Sequence, residues 1–262
     1  LRLNMPASAV RDLLVKDDRK GMGSDLIAGT HGRGFWILDN LTPLRQTAEA
    51  RAANQAGKAY LFKPATAVRV RHATNDPTPW PPELPAGENP LPGGIIDYSL
   101  SKDAAGPVRL EILDRAGKVI RDYSSADPAL DPHPALDPEA YNRVCQRNPS
   151  APDCGVPLYW PAPPVRLSAR AGVHRFAWDL RHEPLGIDDP NAGGDEVTGA
   201  VPHRTFASME APWAPPGAYT VRLTVGGAHY DQPLAVRLDP RVKTSPAALA
   251  QLATLSREME ER

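Results

Sequence analysis

Hydrophobic residues in this chain fall mostly in short runs with a period of two, and nearly every run is closed by glycine or proline. Residues 108–113 (VRLEIL) alternate cleanly, which places Val108, Leu110 and Ile112 on the inner side of a half-buried strand. Asp114-Arg115-Ala116-Gly117 then turns the chain into a second strand at 118–123, a hairpin. In residues 173–180 the alternation puts His174, Phe176, Trp178 and Leu180 on a core-facing side. Pro216-Gly217 introduces 219–225, where Tyr219, Val221, Leu223 and Val225 alternate with polar positions, and Gly226-Gly227 turns into 229–238. Further strands are expected at 59–62, 68–71 and 94–100. Seven or more short strands with turn signals between them read as an aligned antiparallel β-sandwich.

The two ends follow other patterns. Residues 10–16 are apolar-rich, and the polar run 17–24 with two glycines makes the turn after them. Residues 25–30 and 35–39 flank the turn His31-Gly32-Arg33-Gly34, a hairpin signal. Pro43 opens a helix over 44–54 that stops at Gly57. Ser245-Pro246 caps a C-terminal amphipathic helix from Ala247, with Leu249, Leu252 and Leu255 along one side. Two stretches, 125–164 and 185–215, are too rich in proline, glycine or acid to form a ladder and read as ordered excursions from the sandwich.

Composition narrows the function classes. The chain has 262 residues with 30 Lys+Arg against 31 Asp+Glu, a formal net charge of -1, which argues against nucleic acid as a partner. It has no apolar run of about 18 residues, so no membrane span is expected. Thirty prolines and 20 glycines cut the chain often and favour short strands. The two cysteines, Cys145 and Cys154, bracket a turn-rich segment that can bring them within bridging reach; two separate thiols are the alternative. A bridge would place the protein in an oxidising compartment, periplasmic or secreted. The segment Leu1-Arg2-Leu3-Asn4-Met5 alternates like a strand, and the N-terminus reads as a cut.

Residues 25–46, DLIAGTHGRGFWILDNLTPLRQ, resemble the closing segment of the last blade in large bacterial β-propeller proteins, the BNR/VPS10-like, sialidase-like or "glycosyl hydrolase" propellers. The later segments IIDYSL, VRLEILDRAGKVIR, GVHRFAWDLR and PPGAYTVRLTVGG are similar to the domain that follows the propeller in that group. The chain departs from the family in extent, because nearly all of the propeller is absent and no S-X-D-X-G-X-T-W box occurs. The resemblance implies a mainly β chain: closing blade strands over 1–43, a helical connector over 44–57, an immunoglobulin-like sandwich over 58–240 and a C-terminal helix over 241–262. It further implies that the upstream propeller polypeptide of the same protein is a partner, since a partial blade leaves edges and apolar faces uncovered.

The candidate sites are few. His31, Arg33 and Trp36 have the residue types of a catalytic or anion-binding group, but their place on the closing hairpin fits blade closure instead. Asp188, Asp189, Asp195 and Glu196 offer oxygen ligands for a cation without the spacing of a known calcium loop, and a solvated acidic loop is the plainer reading. Trp80, Tyr159, Trp160 and Trp213 lie in proline-rich loops, where flat rings either stack on a glycan or protein ligand or pin their own loops. No nucleophile, metal or nucleotide motif stands out, and no cofactor is expected. The expected function is therefore a non-catalytic module that closes a propeller and presents a sandwich to a partner or glycan. The alternative is the accessory part of a sialidase-like glycoside hydrolase whose catalytic residues lie in upstream blades.

Overall fold

The computed structural model describes residues 5–17, 23–70, 81, 83–84, 91, 93–127, 137–147, 157, 159–160, 166–183 and 211–260. These residues form a mainly β protein with three sheets and a C-terminal helix.

The first sheet is an antiparallel meander of β1 (Val10–Asp17), β2 (Ser24–Thr30) and β3 (Phe35–Leu38). Its β2–β3 turn works because Gly32 and Gly34 take φ of 78° and 69°, conformations that cost a side chain-bearing residue energy. After β3 the chain bends at Asn40 (φ 58°), passes a short 3-10 turn at Leu44–Gln46 and enters α1 (Thr47–Gln55). The helix ends in a Schellman motif. Lys58 N–H donates to Ala53 O, and Gly57 N–H, at φ 74°, donates to Asn54 O.

Two further sheets share one core. β4 (Tyr60–Leu61), β6 (Gly94–Leu100) and β9 (Gly172–Trp178) form a three-stranded sheet in the order β4-β6-β9, and β5 (Ala67–Arg69) lies between β4 and β6 in the chain. β7 (Arg109–Leu113), β8 (Val119–Ser124), β10 (Gly217–Val225) and β11 (Ala228–Leu238) join β5 in a five-stranded sheet ordered β5-β11-β10-β7-β8. All pairings are antiparallel except β5 with β11. Ile96, Tyr98, Phe176 and Trp178 from the smaller sheet meet Leu110, Ile112, Val221, Leu223 and Leu234 from the larger in one buried cluster. Alternation dictates this, because each strand turns its apolar set to one side.

The other side of β6 is also covered, and there the chain is polar. Asp97 and Ser99 are buried; Ser99 Oγ meets the Asn54 side chain of α1, and Arg175 Nε donates to Asp97 Oδ1 at 2.8 Å. The first excursion contains α2 (Pro138–Arg147), where only an irregular excursion was expected. Asp137 caps it, accepting the Ala140 N–H at 2.9 Å, and Pro138 occupies the first turn, where a missing N–H costs nothing. α3 (Pro246–Glu260) starts one residue earlier than expected, with Ser245 Oγ accepting the Ala248 N–H. On the apolar side Leu249 is half-buried, while Leu252 and Leu255 are 59% and 56% exposed.

Candidate functional site

The sequence singled out the β2–β3 turn first. His31 and Arg33 are exposed there, and their backbones do the visible work. His31 N–H donates to Ala9 O, Ser8 Oγ donates to His31 O, and Arg33 O accepts the Trp36 indole N–H at 2.9 Å. Trp36 is half-buried and stands opposite Ala28 and Leu13 on the meander. The arrangement holds a tight turn, and among the described residues no hydrogen bond or ion pair of the His31 side chain builds a catalytic group.

What the meander does present is apolar surface on both sides. Cross-strand partners share a face, so Leu13, Ala28 and Trp36 form one row with Val15, Leu26 and Leu38 beside it. Leu14, Ile27 and Ile37 line the opposite face, with Phe35 next to them. Leu13 and Leu14 are 60% and 59% exposed, Phe35 is 83% and Ile37 is 56%. Charged residues (Arg11, Asp12, Lys16, Asp17 and Asp25) are interleaved with these, yet large apolar side chains stand exposed on both faces, where a sheet meeting water on one side would confine them to the other.

The meander is joined to the rest through polar contacts. Leu41 N–H donates to Ser24 O, Asn40 N–H to Asp25 Oδ1, and Arg45 pairs with Asp17 at 2.6 Å. Asp17 is held below the usual carboxylate range, first by the Ser24 hydroxyl and then by Arg45. Asp39, by contrast, is raised by burial and by the facing Asp25. Gln46 then fixes the start of the connector: its Nε2 donates to Thr42 O and Lys63 O, while its Oε1 accepts the Lys63 N–H at 2.8 Å.

Of the four loop aromatics, Trp213 is the one whose surroundings are most fully described. Residues 211–215 run back against 180–182: Arg181 and Trp213 form an antiparallel bridge, His182 N–H donates to Pro212 O and Ala214 N–H to Leu180 O. The Arg181 guanidinium lies 4.0 Å from the Trp213 ring centroid and that of Arg69 lies 5.7 Å away. Trp213 also packs against the core cluster. Tyr159 is exposed, and Trp160 is half-buried with its backbone N–H donating to Pro157 O. Trp80, Asp188, Asp189, Asp195, Glu196 and Cys154 lie outside the described residues. Cys145 is half-buried on α2, on a helix rather than in the turn-rich loop expected. No group of three or more metal-ligating side chains occurs among the described residues.

Sequence reasoning missed the charged residues that organise these places. The Asp97–Arg175 pair needs the β6–β9 register, and the two arginines at Trp213 come from positions 69 and 181; no local pattern announces either. No protein family, curated protein or solved structure matches this chain.

Proposed function

We propose that this chain is a non-catalytic module of a periplasmic or secreted β-propeller protein. Its three-stranded meander supplies closing strands of the last blade, and its other two sheets form an immunoglobulin-like unit whose loops receive a protein or glycan partner. The observation that supports this reading is the meander's exposure: large apolar side chains on both faces, Leu13 and Val15 on one and Leu14, Ile37 and Phe35 on the other. Three strands alone do not sustain such a surface in water. The upstream propeller polypeptide of the same protein is the proposed cover, and the resemblance at residues 25–46 supports that identity. A Cys145–Cys154 bridge belongs to the same proposal and to the oxidising compartment it requires.

Amide hydrogen exchange tests the reading. In the chain by itself β1–β3 exchange much faster than β6, β7 and β10; joined to the upstream polypeptide they become comparably protected. Full protection of β1–β3 in the solitary chain contradicts the proposal.

A further inference from the structure

Helix α3 turns only one narrow stripe to the rest of the protein. Leu249, Ala253 and Ser256, spaced i, i+4, i+7, are its half-buried positions among the described side chains. His182 is lowered first by burial and then by the Arg257 charge, which places this side of the helix near the segment that follows β9. The neighbouring stripe meets solvent. Leu252, Leu255 and Met259 are 59%, 56% and 78% exposed, and Ala248 is exposed in line with them. Steps of four, three and four residues make these the inner positions of two coiled-coil heptads, the seam by which one helix packs along another.

Charge indicates what covers the seam. Glu258 stands beside Met259 in the last turn, the wrong end of its own macrodipole for an acid, while the first turn holds no acid at all. Lys243 lies just before the helix, exposed, and its Nζ donates to Pro240 O. Among the described residues neither Glu258 nor Lys243 meets an opposite charge. The other charges nearby are engaged: Arg257 Nε donates to Ala253 O, and Arg241 is paired with Asp239. One apolar seam therefore runs between an unanswered negative end and an unanswered positive approach.

We propose that α3 is a self-association surface on which two copies of this chain pair antiparallel about a two-fold axis. Leu252 of one copy packs on Leu255 of the other, and the small Ala248 receives the long Met259. Glu258 then reaches the first helical turn of the second copy, on the side of its Lys243, and the two macrodipoles oppose. A parallel pair would gather both acidic ends at one place and both Lys243 side chains at the other. The inference goes beyond the proposed function and does not depend on it.

Helices of this length make less than a standard interface, so a weak reversible dimer is expected, with a dissociation constant on the order of 10–100 μM. Sedimentation equilibrium of the full chain, taken to about ten times that concentration, reads it. Leu255→Glu should weaken association by about tenfold or more, whereas Leu13→Glu, on the exposed meander, should leave it unchanged. Lys243→Glu and Glu258→Lys should each weaken it by about two- to fivefold, and the two together should restore it. Should Leu255→Glu lose its native circular dichroism spectrum, Leu252→Ala repeats the test with a milder change, and unaltered association there overturns the seam. A monomer at every concentration overturns the proposal without any variant. Association that survives Leu255→Glu but is lost in Leu13→Glu overturns it as well and leaves the blade reading of the meander standing. A double charge variant no tighter than either single one overturns the antiparallel arrangement.

Discussion

Tyr98 lies on β6 with no exposed surface, and its phenol is tied twice to one residue across the core. It donates to Ser168 O at 2.8 Å and accepts the Ser168 N–H at 2.6 Å. Tyr98→Phe removes the oxygen and keeps the ring, so its contact with the His174 ring on the neighbouring strand and its place in the core cluster are unchanged. What remains is a carbonyl and an amide at residue 168 facing an apolar edge. An unsatisfied buried group costs about 1–3 kcal/mol, and partial relaxation toward solvent from the 166–171 segment argues for a total of about 2–3 kcal/mol. For a protein of this size that corresponds to a fall in melting temperature of roughly 4–12 °C. Burial also pushes the Tyr98 phenol up to about 12, with the Ser168 hydrogen bond opposing it. A group raised in the folded state contributes stability that is complete below its unfolded value near 10 and is lost as pH rises through about 12. Wild-type protein therefore loses stability over that alkaline window, and Tyr98→Phe should flatten part of the loss; Tyr219, also raised to about 12, and Tyr123 and Tyr60, which burial raises as well, contribute to the remainder. Differential scanning calorimetry from pH 7 to 11.5 reads both effects. A variant melting within a degree of wild type at pH 7 refutes the assignment of Ser168 to the phenol.

The buried pair on the outer side of β6 predicts an asymmetry. Arg175→Met strands the Asp97 carboxylate and should cost about 3–5 kcal/mol at pH 7, whereas Asp97→Asn leaves a half-exposed guanidinium that can turn to water and should cost much less, as urea unfolding will show. Burial raises Asp97 despite Arg175, so its contribution is complete below the ordinary carboxylate value and declines as pH rises through its folded one; Asp97→Asn should make stability less steep there. Gly93 has φ 106°, and a Cβ placed on it would lie 2.0 Å from Trp178 O, so Gly93→Ala should cost more than about 3 kcal/mol or abolish soluble expression. Ser245→Ala removes the cap of α3 and should cost that helix about 1 kcal/mol, visible as faster amide exchange at Ala248.

Strands with a single buried face were legible along the chain. Residues 219–225 bury Tyr219, Val221 and Leu223 as their alternation requires, and Gly226-Gly227, at φ 55° and 80°, makes the two-residue turn expected before β11. The stop of α1 at Gly57 was equally readable, since glycine alone accepts that backbone cheaply. Residues 137–147 were not, because the proline density around them reads as a bar to ladder hydrogen bonds. In Asp137-Pro138-Glu139 the same proline is a helix opener, and only the cap before it distinguishes the two. Long-range pairings were closed to sequence reasoning for another reason. The parallel contact of β5 with β11 spans most of the chain, and the meeting of Arg69 with Trp213 depends on it. The same holds for Gln46, whose side chain stitches Thr42 to Lys63 without any motif to announce it.

Native mass spectrometry of the non-reduced protein isolated from the cell that makes it tests the central claim most directly. A meander with two uncovered apolar faces predicts that the chain travels with, or within, a larger polypeptide, at a mass well above 28.3 kDa. A monodisperse folded species at 28.3 kDa, alone, would contradict the blade reading and leave the other two sheets as the part of the molecule that stands by itself.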